Sequence, residues 1–327
     1  MLDSTALRNA LPLCLERTDF SSLGVKYEGK VRDNYSAPGG HRFIVATDRI
    51  SAFDRVLGTV PFKGQVLNRL AAWWFGRTSD VVANHVICVP DPNVLECVDC
   101  VPVLVEMVVR AYATGTTSTS LWTHYERGER LFCGHKLPDN LTKHQKLPEP
   151  ILTPTTKAPK GQHDVSGSRE EILATGLVAE RDFDEAANDS MKLFAAGQAI
   201  CAQRGLILVD TKYEFGRTRE GKLIVIDEIH TPDSSRFWQE STYESRVRAG
   251  LDPEPLDKDF VRRWFSDRGY RGEGQPPSMP DEVRVGAAER YIDAYERITG
   301  EPFVPNTENP VERIARQLSV PAGSDRR

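Results

Sequence analysis

Asp210-Thr-Lys-Tyr-Glu-Phe-Gly216 alternates charged and apolar side chains, and Ile224-Val-Ile-Asp-Glu-Ile-His230 follows it closely. In a strand, successive side chains point to opposite faces, so Asp210, Lys212 and Glu214 share one face and Thr211, Tyr213 and Phe215 the other. The second run is apolar until Asp227 and Glu228 interrupt it. A four-residue loop, Arg219-Glu220-Gly221-Lys222, joins the two runs as a hairpin and sets Glu214 opposite Asp227. Two carboxylates in that register lie about 5 Å apart at Cβ and repel each other. A cation is expected between them, and a divalent metal is the simplest candidate. The strand-rich first third of the chain and its helix-framed remainder predict an α+β fold.

Strands are also expected before this hairpin, at Gly24 to Glu28, Val31 to Tyr35 and His41 to Ala46, with Pro38-Gly39-Gly40 as a turn. Gln65 to Phe75 has helical periodicity. Val101 to Arg110 reads as one apolar strand ending in a charge. A small, hydroxyl-rich loop, Gly115 to Ser120, precedes a helix at Leu121 to Glu126. Gly134 to Gly167 is rich in Pro, Lys and His and reads as a long structureless excursion. Helices are predicted at Ala6 to Leu11, Asp182 to Arg204, Phe260 to Phe265, Pro280 to Ile298 and Val311 to Leu318. This pattern divides the chain into a strand-rich lobe, 1–105, and an α+β lobe, 106–327, with a cleft between them.

The chain has 327 residues, 27% charged and 39% hydrophobic, with a net charge of −5. That balance disfavours a general nucleic-acid binder, which needs a basic surface. No apolar run approaches the roughly eighteen residues needed to span a bilayer, and residues 1–20 have no signal-peptide core. The expectation is a cytoplasmic protein, as a monomer or small homo-oligomer. Six scattered cysteines fit a reducing compartment. Cys97-x-x-Cys100 with Cys133-x-His135 can be drawn as a zinc set, but the spacing is irregular and reduced thiols are the simpler reading.

Further constellations carry chemistry. In Tyr27-Glu-Gly-Lys-Val-Arg-Asp33, Gly29 allows a close backbone approach while Lys30 and Arg32 project to one face and suit phosphate oxygens. Asp48, Arg49, Ser51 and Asp54 collect at a strand end. Arg110 precedes the loop containing Thr116, an arrangement suited to an anion. Arg236 is carried on a turn directly after the acidic strand. Lys157 lies in the long excursion near His163 and Asp164.

Taken in order, Gly29-Lys-Val-Arg-Asp33, Ala46 to Asp54, Thr153-Pro-Thr-Thr-Lys-Ala158, Asp210 to Gly216 and Asp227 to Trp238 make the chain resemble the phosphoribosylaminoimidazole-succinocarboxamide synthase (SAICAR synthetase) family over roughly residues 24–300. The resemblance implies a two-lobed α+β fold related to ATP-grasp enzymes, with antiparallel sheets flanked by helices and ATP in the cleft. It implies an ATP-dependent ligase that joins carboxyaminoimidazole ribotide (CAIR) to L-aspartate through an acyl phosphate, with Mg2+ as cofactor. By resemblance, Gly29, Lys30 and Arg32 cover the ATP phosphates, and Val103 to Glu106 line the adenine pocket. Glu214 and Asp227 are Mg2+ ligands. Asp210 and Lys212 meet the carboxylate end of CAIR. Arg110, Thr116 and Arg236 hold its phosphate. Lys157 lies by the transferred phosphoryl group, and Asp48, Ser51 and Asp54 are assigned to the aspartate or metal-adjacent segment.

The chain departs from the family pattern at Ala111 and Thr116, at Val165-Ser166 and at His230. Alternatives are a SAICAR-synthase-like ligase with an altered substrate, a small-molecule kinase of the same architecture, and a nucleotide-binding regulatory protein without turnover.

Overall fold

The computed structural model describes residues 3–157, 164–256 and 258–321. The chain enters through α1 (Ser4–Ala10), capped by the Asp3 side chain, which accepts from Thr5 N at 3.0 Å. Pro12 sits in the short 3-10 turn that ends it.

The first sheet is antiparallel. Its strands are β1 (Val25–Glu28), β2 (Arg32–Ala37) and β3 (His41–Ala46). A separate two-stranded hairpin follows, β4 (Arg49–Ala52) and β5 (Arg55–Thr59). After helix α2 (Lys63–Arg77) come β6 (Val86–Asp91) and β7 (Val94–Val98), giving the order β1-β2-β3-β7-β6. Pro38–Gly40 makes the turn between β2 and β3, as its composition predicts.

The second sheet follows. Its opening strand is not continuous: it divides into β8 (Val101–Pro102) and β9 (Val105–Tyr112). Val103 and Leu104 lie at the break, and Val103 N donates instead to Phe215 O at 2.8 Å. The expected structureless excursion is also corrected. After α3 (Leu121–Glu126) and β10 (Leu131–Phe132), residues of that stretch form β11 (His135–Lys136), β12 (Lys146–Leu152) and β13 (Thr155–Thr156), and the last two pair with β9. Pro148 and Pro150 hid β12, because proline cannot donate to a ladder. The strand tolerates them at the sheet edge, with a register shift between Lys146 and Ile151. His163 lies outside the described residues.

Helices α4 (Arg169–Ala174) and α5 (Glu180–Ala202) lead into the central strand β14 (Leu206–Arg217), then β15 (Leu223–Ile226) and β16 (Ser235–Gln239). The sheet runs β12-β9-β14-β15, with β16 and β8 also paired to β14. Phe183, Leu193 and Phe194 of α5 share a core with Leu208, Tyr213 and Phe215 of β14. This core covers one face of the sheet and leaves Lys212 and Glu214 on the other.

Helices α6 (Glu240–Arg248), α7 (Asp259–Ser266), α8 (Asp281–Thr299) and α9 (Pro310–Gln317) complete the chain. Helix α9 returns to the first sheet, where Ile314 and Ala315 pack with Tyr35, Val45 and Val94. No helix among the described residues is long and apolar enough to cross a membrane.

Candidate active site

The hairpin register differs from the sequence expectation by one residue. Glu214 pairs with Ile226, and Arg217 with Leu223, so five residues (218–222) make the turn. Asp227 lies just beyond β15 with φ 68°. A one-residue shift in a regular strand would send Asp227 to the other face. The left-handed residue breaks that alternation, and its carboxylate still feels the charge of Glu214.

Side-chain cations separate the carboxylates. Lys212 Nζ donates to Glu106 Oε1 (2.7 Å) and Glu214 Oε1 (3.0 Å), and Lys157 Nζ donates to Glu214 Oε2. Arg32 Nη1 holds both oxygens of Asp227 (3.0 and 3.1 Å), while Nη2 meets Glu228 Oε2 at 2.5 Å. Burial opposes ionisation of Glu214, but Lys212 and Lys157 outweigh it and hold the carboxyl well below its usual range. Asp227 goes the other way: burial, aided by Glu214 and Glu228, pushes it up to about 6 despite Arg32. Burial also raises Glu106, with partial relief from Lys212.

A second cluster adjoins the first. Asp210 is opposite Arg110 on β9 and Arg236 on β16. Arg236 Nη1 donates to Asp210 Oδ2, and Arg110 Nη1 lies 3.6 Å from the same oxygen. Arg110 also donates from Nε to Thr153 Oγ1 (2.9 Å) and from Nη2 to Thr119 O (3.0 Å). Gly115 has φ 105°, and a Cβ there would meet Ser120 Cβ at 2.4 Å and Arg236 Nη2 at 3.4 Å. The loop thus lies against Arg236, with Thr116 exposed.

The phosphate-covering candidate is the β1–β2 turn. Gly29 N donates to Arg32 O (2.8 Å), and Arg49 donates to Gly29 O and Lys30 O, each at 3.0 Å. Arg49 therefore braces the turn from beneath. Lys30 Nζ reaches Asp54 Oδ1 at 2.6 Å in an exposed pair.

Asp48 is bonded elsewhere than the exposed Lys30–Asp54 pair. Asp48 is buried and accepts from Leu15 N (2.7 Å) and Gly64 N (2.8 Å), supporting the start of α2. Ser51 sits within β4 opposite Val56. The drawn zinc set does not assemble: no group of three His, Cys, Asp or Glu among the described residues is placed to hold a metal ion. Burial raises the thiols of Cys97 and Cys100, and that of Cys133 to about 12.

Sequence reasoning gave no role to Glu228 or to a buried network around Asp233. Lys63 Nζ donates to Asp233 Oδ2 (2.8 Å), Tyr291 OH to Oδ1 (2.5 Å) and Lys258 Nζ to Asp233 O (2.9 Å). The Asp227-Glu228 doublet was a signal for the first. Nothing local marks Lys63, whose partner is 170 positions away.

An α+β frame that sets a cation-balanced carboxylate array beside a paired-arginine pocket defines an enzyme that handles phosphorylated anions. The SAICAR synthetase family profile matches residues 25–277, and the chain belongs to that family. It is 51% identical over 296 residues to the phosphoribosylaminoimidazole-succinocarboxamide synthase of Legionella pneumophila (strain Paris), covering 90% of this chain and 93% of the relative. It is 46% identical to the chloroplastic synthase of Arabidopsis thaliana, covering 96% and 77% respectively. Among solved structures, the Saccharomyces cerevisiae SAICAR synthase complexed with SAICAR superposes with a TM-score of 0.75 at 30% identity, over 89% of this chain and 100% of that one.

Proposed function

We propose that the protein is an ATP-dependent carbon–nitrogen ligase that joins CAIR to L-aspartate, giving SAICAR, ADP and phosphate in purine biosynthesis. The observation that carries this reading is the β14 face, where Asp210, Lys212 and Glu214 connect the paired-arginine pocket to the carboxylate array. Relatives that align over most of the chain bear this activity in their names.

Nucleotide lies between the first sheet, in the unit 1–105, and the second, in the unit 106–327, with α9 returning to the first. Lys30 and Arg32 face the ATP phosphates, and Val103 to Glu106 line the adenine pocket. Arg110, Thr116 and Arg236 take the ribotide phosphate. Asp210 and Lys212 orient the imidazole carboxylate, and Lys157 neutralises charge beside the phosphoryl group in transfer. Asp54 neighbours the phosphate-covering turn, whereas Asp48 supports the fold.

Glu214 and Asp227 would hold Mg2+. The donor set fits a hard cation, because Mg2+ is commonly held by one or two carboxylates plus substrate phosphates. Burial, with Glu214 and Glu228 beside it, raises the Asp227 carboxyl, and a bound cation would favour its ionised form. When bound, the ion neutralises phosphate charge.

A CAIR carboxylate oxygen attacks the γ-phosphorus, and ADP leaves. The aspartate amine then attacks the acyl phosphate carbon, phosphate leaves with the former carboxylate oxygen, and the amine gives up a proton. The acyl phosphate is the activated species, so the protein supplies position and charge and no nucleophile. Scattered thiols in a chain of this size fit a cytoplasmic setting.

Omitting CAIR, ATP and L-aspartate in turn tests the assignment. Ligase chemistry requires all three for sustained ADP release. A kinase of the same architecture would release ADP without aspartate, and that outcome would overturn the reading.

A further inference from the structure

The root of the 114–120 loop is held from a segment that the reaction as described does not use. His144 N donates to Ala113 O (2.7 Å), and Ala113 N donates to Gln145 O (2.8 Å). The His144 ring bridges two groups: Nδ1 lies 2.9 Å from Thr114 Oγ1, and Nε2 lies 2.7 Å from Asp252 Oδ1. Asp252 also meets Lys143 (3.1 Å) and Arg263 (3.4 Å). Its carboxyl is held down to about 2, where the His144 and Lys143 hydrogen bonds outweigh burial. An ionised carboxylate only accepts, so Nε2 carries the proton. Burial lowers the His144 pKa, helped by Lys143 and Arg263 and opposed by Asp252. The ring is therefore neutral near pH 7, Nδ1 is an acceptor, and the Thr114 hydroxyl donates to it.

Other contacts fix the ring in place. It packs edge to face on Trp238 with centroids 5.4 Å apart, and Tyr243 OH donates to His144 O at 2.8 Å. His144 has φ 69°, a conformation that costs a histidine energy and that these contacts enforce. Thr114 itself is buried, and its carbonyl accepts from Trp122 N at 3.3 Å. Beyond it the chain turns at Gly115 against Arg236 and is held at Thr119 by Arg110.

We propose that His144 is a positioning residue for the phosphate end of the substrate, acting through Thr114 to hold the 114–120 loop within reach of Arg110 and Arg236. It touches no reacting atom. The proposal rests on the reading of that loop as the ribotide phosphate site.

The test is steady-state kinetics on the full chain for three His144 variants, Thr114→Val, its double with His144→Ala, and Arg236→Ala. His144→Asn keeps an acceptor near the Nδ1 position and tolerates the left-handed backbone. His144→Gln keeps a donor toward Asp252 but loses the acceptor for Thr114. The expected result is that His144→Ala and His144→Gln raise the CAIR KM about tenfold, the scale of one lost buried hydrogen bond. The KM values for ATP and L-aspartate stay within about twofold, and His144→Asn restores most of the CAIR affinity. Thr114→Val in combination with His144→Ala adds nothing beyond the larger single effect.

Equal loss across all substrates, or an additive double variant, overturns the proposal. Should His144→Ala fail to fold, the His144→Asn and His144→Gln pair decides by the same criterion. Arg236→Ala separates the two layers. If it raises the CAIR KM while the His144 series does not, only the His144 role fails. If neither series moves the CAIR KM, the phosphate-site reading fails with it.

Discussion

Asp227 concentrates the electrostatics of the site in one carboxyl. Burial and its two acidic neighbours push it up to about 6, while Arg32 pulls the other way. The folded pKa exceeds the ordinary 3.8, so the folded chain holds this proton more tightly than the unfolded chain. Its stabilising contribution is complete below the unfolded value and is lost as pH rises from about 4 to about 6. Cation binding has the opposite dependence, because a metal competes with the proton. Mg2+ affinity measured by titration is therefore expected to fall as pH drops below about 6. Asp227→Asn should remove that dependence and reduce kcat by about a hundredfold or more, about 2.7 kcal/mol or more of transition-state stabilisation, while leaving the chain folded, because Glu228 still pairs with Arg32. Near-normal turnover at ordinary Mg2+ would remove Asp227 from the metal site.

Elements built on local chemistry were legible in the sequence. Gln65 to Phe75 lies within α2, Asp182 to Arg204 overlaps most of α5, and Leu121 to Glu126 is α3. What was not legible depended on partners far away. The β14–β15 register turned on whether Thr218 pairs or turns, and local propensity does not decide that. Strand β12 was masked by its prolines and forms because β9 offers it an edge. Helix α9 was visible as a helix, but its destination was not. Arg313 of α9 donates to both oxygens of Asp91, at 2.8 and 3.1 Å, and to Asn93 Oδ1 at 2.5 Å, all buried. Removing one partner of a buried pair leaves an uncompensated charge and costs roughly 3–5 kcal/mol. Arg313→Ala should therefore lower unfolding free energy by about that amount in urea. A loss below about 0.5 kcal/mol, within the range typical of surface substitutions, would show that α9 is not clamped by this pair.

At the scale of the whole molecule, Arg32 links the two sheets. It leaves β2 of the first sheet and ends on Asp227 and Glu228 just past β15 of the second. Lys63, at the start of α2, reaches Asp233 in the same way. The candidate site therefore has structural cations that link its two walls and balance its carboxylates. Lys30, Arg32, Lys212 and Arg236 stand in short motifs visible in the sequence, and Lys157 drew notice only through the family resemblance; the fold pairs Arg32, Lys157, Lys212 and Arg236 with carboxylates of the site. Lys63 was not singled out, and the brace that Arg49 gives the β1–β2 turn was not foreseen, because these bonds cross between elements that only the fold brings together.

The most direct measurement of the central claim follows one oxygen atom. CAIR carrying oxygen-18 in its carboxylate is incubated with the protein, ATP, Mg2+ and L-aspartate, and the released phosphate is analysed by mass spectrometry. Activation through an acyl phosphate transfers one labelled oxygen to each phosphate formed. Phosphate without label, while SAICAR accumulates, would contradict the account.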